Sequence, residues 1–129
     1  MPGPTKNLGE SLRLSRQERL TALPGQCFRR AWWVVREEPG YADAAYVEGY
    51  VVFLDTGLEA HHGWVERGGE VIDPTQPEAR MEYFPAVRRG RDDPVPNLPL
   101  HPSRLGGAEK RLFDKAWEAA RVFANAGQG

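Results

Sequence analysis

The chain has 129 residues with 17 Lys and Arg against 18 Asp and Glu, a net charge of −1, and apolar and charged fractions of 40% and 27%. That is the size and make-up of one globular domain, and the balanced charge offers no broad basic face for nucleic acid. No run is long and apolar enough for a membrane span, the N-terminus lacks a signal peptide's hydrophobic segment, and a cytoplasmic chain is the expectation. Cys27 is the one cysteine, which excludes an intramolecular disulfide and a multi-cysteine zinc site.

In chain order, residues 1–10, with Pro2, Gly3, Pro4 and Gly9, read as a loose leader. Ser15 with Glu18 fits a capping box and predicts a short helix from Ser15 to Leu23, stopped by Pro24-Gly25. A second helix is predicted from Gln26 to about Glu38, with Phe28, Ala31, Trp32 and Val35 as its buried stripe. The Trp-Trp-Val-Val run within it also has strand character. Tyr46 to Leu54 has the β-branched and aromatic content of a central strand, and Gly49 inside it marks a bulge or a close backbone approach.

The segment His61 to Thr75 reads as a β-hairpin turning at Gly68-Gly69, a pair able to adopt the positive φ angles of a tight turn. With those glycines as the loop, Arg67 faces Glu70, Val65 faces Ile72 and Trp64 faces Asp73. Alternation then puts His62 on the face of Trp64, diagonal to Asp73, and His61 on the other face. Further on, Glu82 to Val87 suits an edge strand interrupted by Pro85, Arg88 to Asp93 a charged solvated loop, and Pro94 to Pro102 an extended surface connection. Gly107 to about Ala126 is the clearest helix, with Leu112, Ala116, Ala119, Ala120 and Phe123 along one face and Phe113 and Trp117 beside it. Helix, helix, strands, helix predicts an α+β fold with a small antiparallel sheet.

Chemistry concentrates on a few side chains. A cysteine in the first turn of a helix sees unpaired amide hydrogens and the positive end of the helix dipole, which favour a thiolate and could receive an oxyanion. Cys27, His62 and Asp73 are therefore candidates for nucleophile, base and orienter, with His61 in reserve as base; a buried cysteine that merely fills space is the competing reading. Gln26 beside Cys27, Glu48 and Tyr50 on the central strand, and Trp64 beside His62 are the expected cleft residues. A metal site is not expected: adjacent strand histidines do not easily chelate one ion, and His101 lies in the proline-rich segment.

The order Gly25-Gln26-Cys27, Tyr46-Val47-Glu48-Gly49-Tyr50, His62-Gly63-Trp64 and Asp73-Pro74-Thr75 resembles the core of the transglutaminase-like superfamily, a branch of the papain-like cysteine enzymes. The resemblance spans residues 25–75. It implies a helix opened by the cysteine, a histidine and an aspartate on neighbouring strands, and acyl transfer on a peptide, protein or small amide without a cofactor. It also implies an alternative, since the superfamily includes members that kept the fold and lost the activity and would act as peptide- or protein-binding modules. Two departures stand out: the span from Cys27 to His62 is short, and Gly63 occupies a position where alanine is common.

Overall fold

In a computed structural model, which describes residues 4–17, 26–95, 97–100 and 105–126, the chain is α+β. Its elements are β1 (Thr5–Lys6), α1 (Leu8–Ser15), α2 (Cys27–Glu37), β2 (Ala45–Phe53), β3 (Glu59–Arg67), β4 (Glu70–Ile72), β5 (Met81–Arg89) and α3 (Gly107–Ala126). The sheet order is β1-β4-β3-β2-β5, antiparallel throughout except where β1 runs parallel to β4.

The hairpin forms in the expected register. Gly68 and Gly69 both have positive φ (59° and 81°), and Arg67 pairs with Glu70 and Val65 with Ile72. The ladder stops there: β4 ends at Ile72, so Asp73 lies just beyond it. The aligned residues of β2 and β3 run from Ala45↔Glu66 to Val52↔Glu59, and β2 is an interior strand between β3 and the edge strand β5.

The two faces of the sheet carry different cores. On one, Ala31, Val34 and Val35 of α2 and Phe113 and Ala116 of α3 pack on Tyr46, Val65, Ile72 and Ala86. On the other, Val47, Val51, Trp64, Val71, Met81 and Tyr83 pack together. The sheet curls around this second cluster until its two edges meet. Lys6 of β1 lies over the ring of Tyr83 of β5, its ammonium 5.5 Å from the centroid.

Two glycines are dictated by close approach. At Gly49 the register with β5 shifts, Glu48 facing Val87 and Gly49 facing Pro85. A Cβ on Gly49 would run into the Phe84 carbonyl oxygen and lie 2.9 Å from Ala86 N, so this is the bulge expected from the sequence. At Gly63 a Cβ would meet Phe28 Cδ1 at 2.9 Å and Phe28 Cα at 3.2 Å. Glycine stands there because the first turn of α2 sits directly on β3.

The N-terminal segment departs most from expectation. Residues 5–15 form β1 and α1, and are part of the fold. Asn7 caps α1, its Oδ1 accepting from the Glu10 amide at 3.0 Å, and its own amide donates to Val71 O at 2.7 Å. Ser15, expected to open a helix, closes this one, its hydroxyl turned back on Leu12 O. Arg16 and Gln17, expected inside that helix, lie beyond the end of α1 and are not helical, and the rest of the predicted helix, with the Pro24-Gly25 stop, lies outside the described residues. Asn7 with Glu10 three residues on was the stronger capping signal.

Three smaller corrections follow from packing. The buried face of α3 is Phe113, Ala116, Ala120 and Ala124, while Leu112 is 45% exposed and Ala119 is exposed, so the helix is rotated from the expected stripe. The alanines let α3 lie close to β2 and β5, and Phe113 fills the larger gap at the other end. Arg88 and Arg89 extend β5, pairing with Glu66 and Glu109, and Arg91 donates to Val35 O and Glu38 O at the end of α2. The proline-rich connection is anchored: Leu100 is buried, and Val95 and Leu98 pack on the same core.

Gly49→Ala should destabilise the protein by about 3 kcal/mol or more and Gly63→Ala by about 1–3 kcal/mol, because only the second substitution meets a side chain that can partly yield. Urea denaturation of both variants checks this. A Gly49→Ala midpoint equal to that of the wild type would refute the close approach.

Candidate active site

Cys27 is the first residue of α2. Its N-cap, Gln26, makes no side-chain capping hydrogen bond, and no acidic residue lies in the first turn. The first turn-closing bond is Arg30 N to Gln26 O, so the amides before it have no partner within the helix. Cys27 is half-buried, and Gln26 before it is exposed.

His62 comes to this thiol from β3. The pairing with β4 covers only Val65 to Arg67, leaving that edge of β3 unpaired at His62. The imidazole is almost fully buried at 6% exposure, its Nε2 lies 2.8 Å from Asp73 Oδ2, and the Cys27 side chain is near enough to favour its charged form. With a carboxylate accepting from Nε2–H, Nδ1 is the nitrogen left to receive the thiol proton. The indole of Trp64 stacks on the ring at 6.0 Å between centroids, and Trp64 is itself wholly buried.

Asp73 has no exposure at all, and both carboxylate oxygens and its amide are hydrogen-bonded. Oδ2 accepts from His62 and from the Tyr83 hydroxyl at 2.7 Å. Oδ1 accepts from the Gln76 amide at 3.1 Å and the Thr75 hydroxyl at 3.5 Å, and the Asp73 amide donates to Ser11 Oγ at 2.8 Å. Burial alone would push this carboxyl up, but the charge and hydrogen bond of His62, the Tyr83 hydroxyl and the charge of Lys6 hold it below the ordinary carboxylate range. Burial likewise opposes a charged His62, yet Asp73 and, less strongly, Cys27 carry the imidazole up to about 10. The pair is an imidazolium facing a carboxylate.

The structure thus brings Cys27, His62 and Asp73 together and keeps His61 apart. His61 lies on the opposite face, its Nε2 2.9 Å from Glu48 Oε1, among Phe28, Tyr50 and Phe113. Of the expected cleft residues, Gln26 is exposed and Tyr50 half-buried, but Glu48 and Trp64 are not on any wall. Glu48 is fully buried. Its Oε2 accepts from the Tyr46 hydroxyl and the Leu100 amide, both at 2.6 Å, and its Oε1 meets His61, so neither oxygen is offered to a ligand. Sequence reasoning missed Tyr83, Ser11 and Lys6. Tyr83 sits on the face of β5 that points into the curl, a placement readable only once the strand's register is known.

Among the described residues, no group of three or more His, Cys, Asp or Glu side chains could hold a metal ion. No helix among them is long and apolar enough to cross a membrane. No protein-family model, curated protein or solved structure matches the chain, so the chemistry of this site is argued from its own geometry.

The pair sets a pH window for stability. His62, raised above its ordinary 6.5, contributes stabilisation that is full below that value and fades as pH rises toward 10. Asp73, lowered below 3.8, contributes above that value and loses its effect as pH falls further. The denaturation midpoint should therefore have a plateau between about pH 4 and 6.5 with losses from this pair on both sides. Asp73→Asn should cost about 3–5 kcal/mol on the plateau and flatten the alkaline loss, as urea titrations across pH would measure.

Proposed function

We propose that the protein is a small cysteine-dependent acyl-transfer enzyme acting on an amide or ester bond through an acyl-Cys27 intermediate. One observation carries this reading. A half-buried thiol opens a helix beside a buried imidazole, near enough to favour its charged form, and a buried carboxylate holds the imidazole through Nε2. Nucleophile, base and orienter are arranged in that order.

The steps follow from the positions. In the attacking form the thiol proton already sits on the His62 imidazolium, at Nδ1, and the sulfur attacks the carbonyl carbon of the substrate as a thiolate, forming the C–S bond and placing negative charge on the carbonyl oxygen. Amides of the first turn of α2, which have no partner within the helix, are the proposed donors to that charge. When the tetrahedral adduct collapses, the C–N or C–O bond breaks and the leaving group takes the proton from His62. Water or an amine then gives its proton to His62 and attacks the thioester, releasing the acyl product and the thiol. Asp73 keeps the imidazole in one tautomer and orientation throughout.

The same geometry supports kinship with the transglutaminase-like, papain-like enzymes on the residues that carry the resemblance, Cys27, His62 and Asp73. Gly63 departs from that pattern for a local reason, the Phe28 backbone lying over it. The substrate in this reading is a peptide, a protein or a small amide, and the setting is the cytoplasm, where a lone thiol stays reduced. A non-catalytic binding module on the same fold would have no use for the contact between Cys27 and His62.

Alkylation of Cys27 by iodoacetamide tests the proposal. The wild type should react rapidly below pH 7, and His62→Ala should lose that reactivity and regain it only near the titration of a free thiol, about pH 8.5. Equal profiles for the two proteins would remove the enzyme reading and leave the binding module.

A further inference from the structure

The His62–Asp73 pair is completed from the far side of the sheet. Tyr83 belongs to β5, the edge strand on the other side of β2, and pairs there with Val51. The curl of the sheet carries its side chain across the second core to Asp73, which follows β4. Its hydroxyl donates to Oδ2 at 2.7 Å, and that is the oxygen on which His62 Nε2 sits at 2.8 Å. The other oxygen, Oδ1, is held separately by Gln76 and Thr75. Trp64 fills the space between the two rings, stacked on His62 and edge-on to Tyr83 at 5.0 Å between centroids.

From this arrangement we infer that Tyr83 is a positioning residue of the site: its hydroxyl fixes the Asp73 carboxylate so that Oδ2 stays in the plane of the His62 imidazole. The role in catalysis rests on the reading of Cys27 as nucleophile; the geometry of Asp73 and His62 does not.

A carboxylate held only through Oδ1 can rotate about its Cβ–Cγ bond and take Oδ2 away from the imidazole. The second hydrogen bond on Oδ2 removes that freedom. The groups that face the pair are Lys6 from β1, Cys27 from α2 and Tyr83 from β5. Lys6 spends its ammonium on the carbonyls of Gln76 and Ala79, at 2.7 and 2.5 Å, and so fastens the loop after Asp73 instead of bonding the carboxylate. Tyr83 is therefore the side chain besides His62 that touches Oδ2 directly, among the contacts of the described residues.

Tyr83→Phe removes one hydroxyl and keeps the ring against Trp64. Two readings decide the role. The first is the titration of the His62 ring followed by NMR with imidazole-labelled protein. Loss of positioning should lower it by at least about half a pH unit relative to the wild type. An unchanged titration would overturn the inference. So would a rise, because then the hydroxyl only competes with His62 for the carboxylate's charge. The second is the pH profile of Cys27 alkylation, whose acid-side rate should fall about fivefold or more while the unfolding midpoint shows the fold retained.

A variant that unfolds does not close the question, because the wild type offers its own test. A positioned hydroxyl should give an exchange-protected proton resonance with a cross-peak to the His62 ring, and a hydroxyl exchanging freely with solvent would overturn the inference. If the wild-type thiol proves ordinary while the Tyr83→Phe titration shift is found, the enzyme reading fails and the positioning of His62 stands.

Discussion

A fully buried aspartate is the constraint from which much of this structure follows. A carboxylate taken out of water must find hydrogen-bond donors or give up its charge, and the cost of failure is several kcal/mol. Asp73 is satisfied from four parts of the chain: His62 on β3, Tyr83 on β5, the Thr75 and Gln76 turn, and Ser11 on α1, which takes up its amide. Each donor requires its element to be in place. The curl of the sheet delivers Tyr83, the early end of β4 leaves room for His62, and the N-terminal helix packs where Ser11 can reach the loop. The N-terminal segment, compositionally a leader, is held into the domain by these contacts and by the Asn7 and Lys6 bonds to β4 and its following loop.

Alternation along β3 separates two histidine–carboxylate pairs that are one residue apart in sequence. His62 and Asp73 lie toward the curl. His61 and Glu48 lie under the helices, and there the carboxylate ties Tyr46, His61 and the Leu100 amide together. That second network works as a fastener. Leu100 belongs to the proline-rich connection between β5 and α3, and the bond to Glu48 fixes where the chain crosses the sheet before α3 begins. The buried polar groups on this face are thus spent on chain placement, which explains why Glu48, conspicuous as a charge in an apolar strand, is not a substrate contact.

The legible parts of the sequence were those where one short-range rule acts alone. Gly68-Gly69 suits a tight turn, alternation around it brings His62 toward Asp73, and Gly49 inside an apolar strand marks a bulge or a close backbone approach; all three are seen. The rest was decided by contacts between residues far apart. Ser15 offered a capping signal, but the cap forms at Asn7, whose amide is received by β4. The α3 stripe shifted because Ala120 and Ala124 could pack on Val52, a choice invisible without the strand they meet. Tyr83 could not be chosen from the edge strand by pattern, since its value to the site arises from a curl that the whole sheet adopts.

The cost of the Asp73 network also explains the way the thiol is set. Buried ionic pairs are poor stabilisers compared with packed apolar groups of the same volume, so their presence in a domain this small works against stability. Here the expenditure is concentrated: His62 and Asp73 are buried, whereas the thiol near them is left half-exposed at the start of a helix whose N-cap makes no side-chain hydrogen bond. A purely structural pair could have been buried anywhere in the curl. One placed where the β4 ladder has ended, with its imidazole near the one cysteine of the chain, suits the proton transfer with that thiol that we propose.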